Sequence, residues 1–269
     1  MKIEEKMMLW SDRKVSPDGT SDFQPYMTPY LLPGDKVRGC VIVLPGGGYS
    51  GRARHEAGPI AERFNSLGFH AFVVEYRVAP YRFPAPQEDA LRAIRIVRAH
   101  AEEWKIKPDK IAVLGFSAGG HLACSTGVFH DKVKAENGDA CDAVSARPDA
   151  EILCYPVITA ESPYANTGSF RNLLGPEVPQ EEFLKYSCEK LVTEETPPAF
   201  LWHTAEDRGV PVENSICYAR ALNKCGIPFG LHVFPFGPHG IGLAEGRPEY
   251  ADAACWPELA GVWLGKMGF

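Results

Sequence analysis

Lys110-Ile111-Ala112-Val113-Leu114-Gly115-Phe116-Ser117-Ala118-Gly119-Gly120-His121 runs from an apolar stretch, through a serine set between glycines, into a series of small residues. Lys110 to Gly115 is predicted as a strand and Ser117 to Gly127 as a small-residue helix, which puts Ser117 on the turn between them. A sharp strand-to-helix turn needs neighbours without bulk, so that helix and strand can pass closely. Such a turn lifts the hydroxyl clear of the sheet and aims the N–H of Ala118, at a helix N-terminus, towards a developing oxyanion. Ser117 is therefore read as a nucleophile, against the plainer alternative of a glycine-rich packing turn.

The same alternation continues outward in both directions. Gly39–Leu44 and Phe69–Tyr76 are short apolar runs read as strands, and Ala57–Leu67 between them has helical spacing, with Gly68 as its stop. After a Pro-rich loop (Pro80, Pro84, Pro86), a helix from about Glu88 to Trp104 repeats Ala90, Ile94, Val97, Ala101 and Trp104 on one face; Arg92, Arg95 and Arg98 take the other. Glu151–Tyr155, Ala199–His203 and Phe229–Phe234 are further strands. Pro211 opens and Gly226 closes a helix, and Ala254–Met267 is a terminal one. The opening to about Leu32 is read as an edge hairpin. Strands alternating with helices imply an α/β fold, a mostly parallel sheet with helices on both faces. Residues 156–198 show no strong periodicity but carry Tyr164, Phe170, Phe183 and Tyr186, and read as an insertion over the sheet.

Sites in such sheets form at the C-terminal ends of strands. Gly46-Gly47-Gly48 directly follows the strand ending at Leu44, so Gly47, Gly48 and Ala118 are assigned as the donors of an oxyanion hole. A tight turn without a catalytic role is the alternative. No Gly-Lys-Ser/Thr follows, which argues against a phosphate loop. A serine hydroxyl needs a base, and His239, in a flexible loop past the last strand, is placed to reach it. Asp207, on the loop after Ala199–His203, would orient the imidazole; Glu206 beside it is the substitute. The order Ser117, Asp207, His239 is the order of the nucleophile-elbow pattern. His121 is read as a structural hydrogen-bonding residue, His203 as half-buried, and His55-Glu56 as either a site entrance or a solvated helix start. No cluster has metal-ligand spacing, so no metal and no cofactor are expected.

Composition narrows the class. The chain has 269 residues, 45% of them hydrophobic and 23% charged, enough for one sizeable core and far from a disordered composition. A net charge of −6 with no basic run gives no nucleic-acid footprint. Glutamates at 4 and 5 interrupt the opening, no secretory core follows, and no apolar stretch approaches the roughly 20 residues that span a bilayer. These features predict a cytoplasmic protein without a membrane partner. The eight cysteines, none in a Cys-x-x-Cys pair, are read as reduced and mostly buried thiols.

Val43-Leu44-Pro45-Gly46-Gly47-Gly48-Tyr49 resembles the oxyanion segment of the α/β-hydrolase esterases related to hormone-sensitive lipase, many of which carry a histidine where Pro45 stands. The Pro-Gly-Gly-Gly-Tyr form, with Gly-Phe-Ser-Ala-Gly-Gly-His at 115–121, is closer to bacterial acetylesterases and xylan-esterase-like proteins. Tyr76-Arg77-Val78-Ala79-Pro80 with Phe83-Pro84-Ala85-Pro86 and Asp89, Thr204-Ala205-Glu206-Asp207 with Val210-Pro211, and His232-Val233-Phe234-Pro235 through His239-Gly240 match the same group. The resemblance runs from about Val41 to His239. It implies an α/β-hydrolase fold, a single domain over 1–269 with 156–198 as a cap-like insertion, and hydrolysis of short acyl esters, often acetyl groups on sugars or xylo-oligosaccharides. The expected partner is a small-molecule ester, such as an acetylated sugar or oligosaccharide, and a homo-oligomer is compatible with the sequence. No obvious carboxylate pair is set for glycoside hydrolysis. Tyr49, beside the oxyanion loop, is expected to line the substrate pocket. An amide hydrolase on the same triad, an arylformamidase or small peptidase, is the alternative; a non-catalytic ligand-binding protein is the alternative of another class.

Overall fold

Runs that alternate apolar faces along a strand must be covered on both sides, and here they are. In the computed structural model, which describes residues 2–3, 5–11 and 22–269, the strands form one sheet. They are β1 (Lys2–Ile3), β2 (Met7–Met8), β3 (Tyr26–Leu31), β4 (Arg38–Leu44), β5 (His70–Glu75), β6 (Ile106–Phe116), β7 (Ala150–Cys154), β8 (Ala199–Thr204) and β9 (Phe229–Phe234). Their order is β1-β3-β5-β4-β6-β7-β8-β9, with β2 also on β3. From β5 to β9 every neighbour is parallel, whereas β3 joins β5 antiparallel and carries β1 and β2 antiparallel. The expected edge hairpin thus becomes two short strands on β3; its stretch 12–21 lies outside the described residues.

Side chains divide by parity. Cys40, Ile42 and Leu44 of β4 and Ile111 and Val113 of β6 join one core. Into it pack α2 (Ala85–Ala99), α3 (Ala118–Phe129), α4 (Thr167–Leu174) and α5 (Glu213–Lys224). Val41, Val43, Ala112, Leu114 and Phe116 join the other, with α1 (Gly58–Ser66) and α6 (Trp256–Lys266). Trp202 of β8 stacks on Trp256 there, 5.3 Å between ring centroids.

Two boundaries differ from the sequence reading for identifiable reasons. β6 starts at Ile106, because Pro108-Asp109 is taken up as a register irregularity between the Arg38↔Ile106 and Cys40↔Ile111 pairs, not as a chain-reversing turn. α2 starts at Ala85 with Pro86 in its first turn, where a missing N–H costs nothing, and ends at Ala99. Its arginine face is not open to water. Arg92 pairs with Asp139 and Asp142, and Arg98 with Asp149 at 2.7 Å, so the 131–149 segment covers that face. No helix among the described residues is long and apolar enough to cross a membrane.

Register levels the strand ends. Leu44 lies beside Gly115, Phe116 beside Cys154, and Thr204 beside Phe234. The loops after β4, β6, β8 and β9 therefore leave the sheet along one edge.

Glu151 of β7 is fully buried, with one carboxyl oxygen accepting from the Tyr218 hydroxyl at 2.8 Å and the other unpaired. Burial, partly offset by that bond, pushes its pKa well above the usual carboxylate range. The folded state thus holds a proton that the unfolded chain releases at lower pH. The stability this group contributes is fully present below the ordinary carboxylate pKa and is lost as pH rises through the raised one. Glu151→Gln should remove that part of the slope; equal slopes of unfolding free energy against pH for both proteins would contradict it.

Candidate active site

Ser117 has φ +53° and ψ −119°, a conformation that side-chain-bearing residues rarely adopt and that costs of order 1–3 kcal/mol. The surroundings hold it there. Its N–H donates to the Cys154 carbonyl at 3.0 Å, and its carbonyl accepts from the N–H groups of His121 at 3.1 Å and Val157 at 3.0 Å. A Cβ on Gly115 would run into the Gly119 carbonyl, and one on Gly119 into the carbonyls of Leu44 and Pro45. The two glycines let α3 and the end of β4 close around the serine.

His239 and Asp207 arrive from the neighbouring loops. His239 Nε2 lies 2.7 Å from Ser117 Oγ, and its Nδ1 lies 2.6 Å from Asp207 Oδ2. An ionised carboxylate only accepts, so Nδ1 carries the imidazole proton and Nε2 is left as the acceptor for the serine O–H. The other Asp207 oxygen accepts from the N–H groups of Gly209 and Val210, both at 2.8 Å. Burial opposes the Asp207 charge, but bonding to His203, His239 and the Val210 N–H outweighs it and holds the pKa well below the usual carboxylate range. Glu206 does not share this role: its carboxylate accepts from Gly237 N–H at 3.3 Å.

Gly47 and Gly48, at φ +139° and +62°, turn the loop after β4 above the serine. Neither N–H is engaged in a hydrogen bond among the described residues, and Ala118 is the first residue of α3, where an N–H has no intrahelical acceptor. Three free donors thus belong to the segments flanking Ser117, suited to a developing negative charge. Among the described residues no three or more His, Cys, Asp or Glu side chains gather as metal ligands would. A cleft of about 820 Å³ opens beside the triad, lined by Glu206, Arg208, Gly209, Pro238 and His239 among others.

Tyr49 stands differently from the expectation that it lines the pocket. It is 1% exposed, and its hydroxyl donates to His121 Nδ1 at 2.9 Å. His121 Nε2 in turn donates to the Tyr186 carbonyl at 2.9 Å. His121 is thus the structural hydrogen-bonding residue foreseen, and Tyr49 anchors the loop after β4. His203 is fully buried rather than half-buried, bonded to Ser215 and to the Val210 carbonyl. His55 is mostly exposed and contacts the Gly240 carbonyl, while Glu56 is buried.

The segment 156–198 reaches the site through two asparagines that the sequence did not single out. Asn172 Nδ2 donates to the Gly48 carbonyl at 2.7 Å and Asn166 Nδ2 to the Gly209 carbonyl at 2.9 Å. Phe170 and Phe183 stack inward in its core, and Tyr164 faces outward. All eight cysteines are free thiols, five of them buried.

Sheet, elbow and hydrogen-bonded Ser-His-Asp chain together define an α/β-hydrolase. Within that class the chain belongs to the BD-FAE family, whose profile matches residues 30–222. It is similar to an acetyl ester-xyloside bifunctional hydrolase from Caldicellulosiruptor lactoaceticus, with 46% identity, 98% of this chain and 97% of that one covered, and a TM-score of 0.91. It is 40% identical over 88% of its length to endo-1,4-beta-xylanase B of Butyrivibrio fibrisolvens and 33% identical over 79% to an acetylxylan esterase of Xylanibacter ruminicola. The matches span 38% and 43% of those two proteins, less than half of each.

Replacing His121 with alanine removes the bond to the buried Tyr49 hydroxyl, at a cost of about 1–3 kcal/mol, and takes one donor from the half-buried Tyr186 carbonyl. Urea unfolding of His121→Ala should show a clearly lower midpoint than wild type; an unchanged midpoint would show that the Tyr49–His121–Tyr186 chain carries no stability.

Proposed function

We propose that the protein is a serine carboxylesterase that hydrolyses short-chain acyl esters, foremost acetyl esters of carbohydrates. The observation that carries this reading is the hydrogen-bonded chain Ser117–His239–Asp207, at 2.7 and 2.6 Å, next to unengaged N–H groups. Likeness to an acetylxylan esterase and to an acetyl ester-xyloside hydrolase supports the acetylated-carbohydrate substrate class.

In this mechanism His239 Nε2 takes the Ser117 proton as Oγ attacks the ester carbonyl. The carbonyl oxygen becomes an anion held by the N–H groups of Gly47, Gly48 and Ala118, contacts that strengthen as charge develops and so act on the transition state. Asp207 stays ionised and stabilises the imidazolium. The imidazolium then gives its proton to the leaving alcohol, an acyl-serine remains, and water activated by His239 releases the acid. Asn172 and Asn166 tie the insertion to the oxyanion and acid loops.

Wild type should hydrolyse p-nitrophenyl acetate and release acetate from acetylated xylo-oligosaccharides, and Ser117→Ala should lose about three orders of magnitude or more in turnover. Equal activity of the variant would sink the nucleophile assignment. Brisk cleavage of N-formylkynurenine with no ester turnover would replace the esterase by an amide hydrolase.

A further inference from the structure

Below the site lies a carboxylate that the mechanism does not use. Glu56 is 2% exposed, in the segment that leads into α1. Its Oε2 accepts from the Gly46 N–H at 2.8 Å, one residue before the proposed oxyanion donors. Its Oε1 accepts from the Tyr155 hydroxyl at 2.6 Å. That hydroxyl also accepts from the Gly242 N–H at 2.9 Å, three residues past His239. The Tyr155 ring stands edge-on to the His239 imidazole, 5.1 Å between centroids, and Tyr155 directly follows Cys154, whose carbonyl holds the Ser117 N–H. One buried carboxylate and one phenol thus touch the loops that carry the oxyanion donors, the nucleophile and the base.

A buried carboxylate is a costly way to tie two loops. A well-packed apolar side chain of the same volume would be as stabilising or more so. What the carboxylate supplies is direction: each oxygen fixes one donor, and the loops follow. Burial, followed by the Glu56 charge, pushes the Tyr155 hydroxyl well above its ordinary pKa, so it stays a donor at working pH.

We propose that Glu56 and Tyr155 are positioning residues for hydrolysis, a strut that sets the Gly46–Gly48 loop and the His239 loop at a fixed separation around Ser117. The proposal rests on the esterase reading above. Small displacements of either loop weaken contacts made mainly in the transition state, so the strut acts on kcat more than on KM.

The test compares Tyr155→Phe with Tyr218→Phe. Both remove one buried hydroxyl that bonds a glutamate, but Tyr218 bonds Glu151 in the first half of β7, whereas the Ser117 N–H is held by Cys154 at the strand's other end. Thermal melting and p-nitrophenyl acetate kinetics are measured for both, with wild type and Ser117→Ala in the same assay. Tyr155→Phe should lose about ten- to a hundredfold in kcat with KM nearly unchanged. Tyr218→Phe should lose comparable stability and keep wild-type kcat. Glu56→Gln should resemble Tyr155→Phe, and the double variant should be no slower than the slower single one, as for two members of one unit. Should Glu56→Gln fail to fold, the two phenylalanine variants decide alone. Turnover of Tyr155→Phe within about twofold of wild type, an equal kcat loss in Tyr218→Phe, or multiplying losses in the double variant would overturn the strut. Activity in wild type that Ser117→Ala lacks shows that the esterase reading stands while the strut is judged. No turnover by wild type removes both.

Discussion

The close approach of three backbone segments around Ser117 is the constraint on which the rest depends. The helix after β6 must pass within contact of the end of β4, and only hydrogen at positions 115 and 119 leaves room for it. That approach holds the serine in a backbone conformation it would not adopt alone and orients its side chain towards His239. A methyl group at either glycine would move the helix, and with it the Ala118 N–H and the serine hydroxyl together. The Ser117 hydroxyl and the Ala118 N–H, neighbours along the chain, are thus set together by the close packing at the two glycines.

From that point the sheet acts as a ruler. Parallel strands with level C-terminal ends deliver four loops to one edge, so residues far apart in the chain, Gly47, Ser117, Asp207 and His239, meet without a long connection. The loops themselves are held by polar contacts of two kinds. From above, Asn172 and Asn166 of the insertion bond the carbonyls of Gly48 and Gly209. From below, Tyr49 with His121 bonds the Gly46–Gly48 loop into the core, and Glu56 with Tyr155 bonds that loop and the one after His239. Asn172 and Asn166 are half-buried, whereas Tyr49, His121, Glu56 and Tyr155 are buried, where an unmet donor or acceptor is costly, and this makes the loop positions stiff.

The candidate site was legible in the sequence because its signals are local. A serine between glycines after an apolar run, three glycines after another, and an acid and a histidine after later strands are each visible within a few residues. The buried supports were not, because their partners are distant: Glu56 meets Tyr155 across 99 positions and Tyr49 meets His121 across 72. A tyrosine next to an oxyanion loop reads as a pocket residue until the histidine beneath it is seen. The arginines of α2 read as a polar face until the 131–149 segment, which has no periodicity of its own, is seen to cover them. Pro108-Asp109 reads as a turn because proline breaks regular pairing, yet a strand can absorb it as an irregularity. Local patterns therefore picked out the groups that the fold brings together at Ser117, while tertiary contacts decided which polar residues are buried as supports.

The central claim is that Ser117 is acylated during turnover. Rapid acid quenching of the protein with excess p-nitrophenyl acetate, followed by peptide mass spectrometry, tests it most directly. The account predicts one added acetyl group, transient, on the peptide containing Ser117, and its accumulation when His239 is replaced so that the water step is slowed relative to attack by an activated ester. Turnover with no acetyl adduct at Ser117, or with the adduct on another residue, would contradict it.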